Sequence, residues 1–197
     1  MRQKRCRSIA GWTAALMCVG AIAIAQADGV QARLTFVPVD ASKAGLSEGT
    51  RLDIVVERWS AQADRDQVMS AFKEQGADGL AKAIASSTAV GYLHWPGNLD
   101  YTLRYAHRVA RPDGGEEIVL ATDTPVRMWW VGQESAPASL SLPTIIEVRI
   151  GKDGRGEGKI GQPSSVAENQ QGHPFALRDF DRERAVLTDV RRERASS

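Results

Sequence analysis

The chain has 197 residues, with 25 Lys or Arg against 24 Asp or Glu and two cysteines. A balance this even excludes the strongly basic signature of a nucleic-acid binder, and two cysteines are too few for a disulfide framework. The length supports one good hydrophobic core rather than two.

The N-terminus is the most explicit segment. Arg2, Lys4, Arg5 and Arg7 precede an apolar run from Ala14 to Ala25 that is broken only by Gly20. The run ends in Ala25-Gln26-Ala27, the small-x-small pattern of signal peptidase sites. Residues 1–27 therefore read as a cleavable secretory signal peptide, cut after Ala27. A spanning helix needs about 20 apolar residues, more than this run supplies. Cys18 is a poor lipid-attachment site, because Ala15 and the bulky Met17 stand where an aliphatic and a small residue belong.

Cleavage removes four basic residues and no acid, leaving 21 against 24 and a net charge of −3 over 170 residues. Both cysteines leave with the peptide. The expectation is a periplasmic or secreted protein whose processed chain has no membrane span and no nucleic-acid partner. Residues 28–197 then form a single β-rich domain.

Strand signals open that domain. Arg33–Val39 alternates Leu34 and Phe36 with Arg33, Thr35 and Val37. Arg51–Trp59 alternates Leu52, Ile54 and Val56 with Asp53, Val55 and Glu57. Period two of this kind predicts strands with one face on a core. Between residues 64 and 87 the period lengthens. Asp64 with Gln67 resembles a capping box, Val68 and Phe72 stand four apart, Gly76 closes the helix, and Asp78 caps a second carrying Leu80 and Ile84. This predicts a two-helix insertion packed on the sheet as a lid.

Strands resume at Val90–His94, Tyr101–Val109, Ile118–Asp123, Val126–Val131, Thr144–Ile150 and Glu157–Gly161. Trp95-Pro96-Gly97-Asn98 and Pro112-Asp113-Gly114-Gly115 supply turn chemistry between them. One hairpin is specified in detail. A three-residue loop, Lys152-Asp153-Gly154 with Gly154 left-handed, sets Ile146 opposite Ile160, Glu147 opposite Lys159 and Arg149 opposite Glu157. A two-residue loop would mix the faces, and the longer loop makes both charged pairs complementary. In the tail, Phe175–Phe180 and Val186–Arg191 alternate and predict a second hairpin. The fold class expected is mainly β (α+β): an antiparallel β-barrel or sandwich of about nine or ten strands with a short two-helix insertion.

Chemistry is harder to find. Gly45-Leu46-Ser47-Glu48-Gly49 matches the G-x-S-x-G pattern, but it precedes a strand where a nucleophile elbow leads into a helix. His94, His107 and His173 lack metal-ligand spacing, and Arg155 stands where a calcium loop needs an acid or amide. No catalytic residue, metal ligand or cofactor is assigned. His107 shares its predicted strand face with Leu103, Tyr105 and Val109, which suits a buried histidine. Aromatic residues concentrate in the middle strands, and adjacent Trp129 and Trp130 must point to opposite faces. Tyr92, Trp95, Tyr105, His107 and Trp129 are the candidate ligand-binding residues, because aromatics beside polar groups suit a small-molecule pocket.

Several phrases carry a resemblance: Val56-Glu57-Arg58-Trp59-Ser60 leading to Asp64-Arg65-Asp66, then Gly91-Tyr92, Ile118–Asp123 with Pro125, Lys152–Gly158, and Leu187–Arg191. Together they resemble a family of uncharacterised exported bacterial proteins. The resemblance implies export and one β-rich domain, and it carries no site residue across. The expected function is a non-enzymatic β domain that binds a small amphipathic or aromatic ligand, or an envelope protein. The alternative is a periplasmic hydrolase using Ser47 or His107.

Overall fold

The computed structural model describes residues 29–39, 41–97, 100–126, 143–163, 166–167, 176–177 and 186–193. Its strands are β1 (Ala32–Pro38), β2 (Leu52–Val56), β3 (Gly91–His94), β4 (Tyr101–Ala110), β5 (Glu116–Thr122), β6 (Ile145–Ile150), β7 (Arg155–Gly161), β8 (Val166–Ala167), β9 (Ala176–Leu177) and β10 (Leu187–Glu193). Eight of them close an antiparallel barrel in the order β1-β10-β7-β6-β5-β4-β3-β2, while β8 and β9 pair separately. Barrel replaces sandwich because β10 pairs with both β1 and β7 and leaves no open edge.

The alternation that predicts strands also fills the barrel. Leu34, Phe36, Leu52, Ile54, Val56, Leu93, Ala106, Ile118, Leu120, Ile146, Val148, Ile150 and Val190 all belong to one buried cluster. Eight strands enclose a space about wide enough for such side chains and little else. Apolar residues point in, while Arg33, Asp53, His94 and Arg191 lie on the outer face. This is the reverse of barrels that face lipid. No helix among the described residues is long and apolar enough to cross a membrane.

The β6–β7 hairpin has the expected register: Ile146 faces Ile160, Glu147 faces Lys159, Arg149 faces Glu157, and Gly154 has φ 78°. Glu147 and Lys159 are 0% and 4% exposed, so this charged pair is buried on the outer face.

The insertion is one helix, α1 (Gln62–Ser86), broken at Gly76 where φ is 62° and ψ is −141°. The expected end of a first helix thus falls at Gly76, where the backbone leaves the helical region, and a second helical segment continues to Ser86. Asp64 is not the cap: it sits inside the first turn and accepts the Ala61 N–H at 3.1 Å. Val68, Leu80, Ala83 and Ile84 pack on Tyr105, Val119, Ala121 and Ile145, the outer side of β4, β5 and β6.

Two further expectations change. Leu103, Tyr105 and His107 do not share a face, because the β4–β5 register shifts between Leu103 and Tyr105. The bulge at Arg104 leaves Leu103 in the barrel core and turns Tyr105 out beneath α1. The C-terminal hairpin does not form either. β9 pairs with β8, and β10 is occupied on both edges by β1 and β7. The predicted strand Val126–Val131 lies outside the described residues beyond Val126, which is buried and not in a strand. The signal segment with Cys18, together with Asn98, Trp129, Trp130 and His173, also lies outside them.

Candidate functional site

The barrel has two ends of different character. At one lie the β1–β2 loop and the β3–β4 turn. Trp95 is 5% exposed there and meets Tyr101 edge to face, with ring centroids 6.1 Å apart. His94 Nδ1 lies 2.8 Å from Asp100 Oδ1 beside it. Ser47 occupies an exposed turn at this end, following a single 3-10 turn (Ala41–Ala44), with its carbonyl accepting the Thr50 N–H at 3.1 Å. No strand-to-helix elbow is built there.

The other end is a mouth. Inward positions of the strands that carry the core continue upward as Arg108 on β4, Glu116 on β5 and Arg192 on β10. The Glu57-Arg58-Trp59-Ser60 phrase crosses beside them after β2. Its course is fixed by backbone bonds: Glu57 N–H donates to Val90 O at 2.9 Å, and Ser60 N–H to Ala106 O at 2.8 Å. The Ser60 hydroxyl accepts the Ala106 N–H at 3.0 Å, so Ser60 is clamped to β4 from both sides. That clamp sets Trp59 against the top of the core, half-buried, with the Arg108 guanidinium carbon 4.8 Å from its ring centroid. A cation over an indole face is an attractive arrangement even near solvent.

Two tight turns form the opposite rim. Gly115 N–H is held by Asp113 Oδ1 at 2.9 Å in the β4–β5 turn, and Arg155 N–H by Asp153 Oδ1 at 3.1 Å in the β6–β7 turn. A Cβ on Gly115 would stand 2.3 Å from Ile150 O, which ties the first turn to β6. Between these turns and Arg108 opens a cleft of about 710 Å³, lined among others by Gln31, Arg108, Glu116, Lys152 and Arg192. Clefts of some 300–1,000 Å³ are the usual size for small-ligand sites.

The candidate residues are not gathered in one place. Tyr92 is half-buried on the outer face of β3, opposite Val55 and Thr102. Trp95 belongs to the core at the far end. Tyr105 and His107 lie on the outer face of β4 near the start of α1. Trp129 is outside the described residues. His107 is 8% exposed, and Arg65 Nη1 donates to its Nδ1 at 2.8 Å. Burial pushes the Tyr105 hydroxyl well above the usual tyrosine range, and the nearby Arg65 charge opposes that only in part. Among the described residues no three His, Cys, Asp or Glu side chains cluster as a metal site would require.

Arg108 lines this mouth and stands over the Trp59 ring, and neither residue is among the candidate ligand-binding residues read from the sequence. The signal that was available is the Glu57-Arg58-Trp59-Ser60 phrase, the most distinctive in the chain. Its partner Arg108 is 49 residues away, brought close by β4. No protein-family model, curated protein or solved structure matches this chain.

Proposed function

We propose that the chain is an exported, non-enzymatic binding barrel that takes a small amphipathic ligand in the cleft at its mouth. One observation carries this reading: the barrel interior is filled by its own side chains, while a cleft of about 710 Å³ with a charged, glycine-bearing lining opens at one end, where Arg108 stands over the Trp59 ring. A filled barrel has no room for an internal ligand, so recognition falls to the mouth. Ser47 stands on an exposed turn without a strand-to-helix elbow and His107 is engaged by Arg65, so neither supports the alternative of a hydrolase using Ser47 or His107. Export is supported by the sequence of residues 1–27 and by a domain that needs no thiol.

The test has two parts. Expression of the full chain in a Gram-negative host, followed by fractionation and N-terminal sequencing, should place it outside the cytoplasm beginning at Asp28. Native mass spectrometry of that material should show a reproducible small adduct, whose binding quenches tryptophan fluorescence in the wild type and not in Trp59→Phe. Retention in the cytoplasm overturns export. Adduct binding unaffected by Trp59→Phe and Arg108→Gln overturns the mouth as the site.

A further inference from the structure

We propose that the mouth recognises an anionic oxygen head, a carboxylate or phosphate on a small planar molecule, through the guanidinium of Arg108. This rests on the reading of the mouth as the binding site and adds the chemistry of what enters it.

The inference comes from how the charges at the mouth are engaged. Glu116 is held by Arg192. Glu193 pairs with Arg33 at 3.6 Å, and Asp153 accepts the Arg155 N–H. Each acid lining the cleft thus has a partner. Arg108 and Lys152 have none among the described residues, and both are exposed to the cleft. Arg108, Lys152 and Arg192 balance Glu116, Asp153 and Glu193 in number, but the acids are engaged while Arg108 and Lys152 keep their charges open to the cleft.

Arg108 is also the group best prepared to receive an anion. Its contact with the Trp59 face holds the guanidinium without engaging its N–H donors. A planar, pre-positioned guanidinium binds carboxylate or phosphate through two parallel hydrogen bonds, which a flexible ammonium cannot do. Beneath it, the Trp59 indole Nε1–H is buried and has no acceptor among the described residues. The facing rim presents Gly114, Gly151 and Gly154 beside Lys152, whose ammonium adds a second cation toward the head of a molecule lying across the cleft.

The experiment titrates isotope-labelled protein with naphthoate, naphthyl phosphate, neutral naphthalenemethanol and inorganic phosphate. It follows the Trp59 indole N–H and the amides of Gly114, Gly115, Gly151 and Gly154. Naphthoate or naphthyl phosphate should shift these signals, with the neutral alcohol weaker by about tenfold or more, the scale of a charge-assisted contact. A preference for one of the two anions identifies the head. Shifts by inorganic phosphate at the same signals show that the head suffices without the ring. Arg108→Gln should remove the preference for anions, and Arg108→Lys should restore part of it. Equal binding of acid and alcohol in the cleft overturns the anionic head and leaves the mouth as a site. An anion preference that survives Arg108→Gln overturns the role of Arg108. No shift at these signals with any probe overturns both readings.

Discussion

A Cβ built on Gly91 would stand 2.0 Å from the carbonyl oxygen of Val55 on the neighbouring strand. Gly91 faces Val56 on one side and Leu103 on the other, where the barrel wall passes from β2 to β4. Backbone cannot yield there as a long side chain might. Gly91→Ala should destabilise the protein by about 3 kcal/mol, the upper range for overpacking. Gly97→Ala meets no atom within 4 Å and only pays for its φ of 74°, so it should cost about 1 kcal/mol. Denaturant midpoints of the two variants check the difference.

Tyr105 predicts an alkaline limit to stability. Its hydroxyl is driven upward by burial, so the folded state keeps the proton after the unfolded chain begins to lose it near pH 10. The stabilising difference is intact below that pH and is lost as pH rises toward the folded value. Stability should therefore fall by up to about 1.4 kcal/mol per pH unit above pH 10 from this group. Tyr105→Phe should flatten that slope. Urea midpoints at several alkaline pH values, with tyrosinate absorbance alongside, measure it.

Asp189 predicts the opposite limb. Arg191 binds its carboxylate through two contacts of 3.0 Å, and Arg51 adds a further ion pair, so its pKa is held below the ordinary value. A lowered carboxylate pKa stabilises the fold above the unfolded value near 3.8 and loses that effect as pH falls through the folded value. Asp189 also has φ 46° in the β10 bulge, a backbone region that Asn tolerates better than most residues. Asp189→Asn should therefore keep the bulge and weaken the acid-side pH dependence, whereas Asp189→Val should lose both. Stability curves between pH 2 and pH 5 separate them, a range that brackets the ordinary carboxylate.

Glu147 and Lys159 predict a non-additive pair. Removing the cation by Lys159→Met leaves a carboxylate that is 0% exposed with less compensation. The expected loss is about 3 kcal/mol. Adding Glu147→Met should recover part of it, since the buried carboxylate is removed as well, while Arg149 loses its 3.1 Å contact with Glu147. A double-mutant cycle reads the coupling directly. A double variant as unstable as the sum of its singles would contradict it.

The β6–β7 hairpin was legible because alternation, turn chemistry and charge all require one register. The barrel closure was less so. Alternation in Phe175–Phe180 and Val186–Arg191 identifies strand-like segments without naming their partners, and β10 finds its own at β1 and β7. The β4 bulge left no trace, because Leu103, Tyr105 and His107 alternate strictly in sequence while one extra residue separates their faces. The mouth was hidden for a related reason. Trp59 is read as a strand end and nothing in the sequence singles out Arg108, and their contact exists only once β4 carries one over the other.

The seam between β1 and β10 sets an order on assembly. Arg33 pairs with Glu193, so the wall is completed by segments from the two extremes of the described chain. Every other neighbour in the barrel is contributed by nearer sequence, and most strands can meet as a growing meander. A chain interrupted before Leu187 would be a curved ribbon with two bare edges, unable to retain its core and prone to pair with another copy. Closure is therefore a late, long-range event, of the kind that slows folding. Because both ends of the seam arrive at the mouth, a short linker there, with new termini cut at the β3–β4 turn, would turn the slowest contact into a local one.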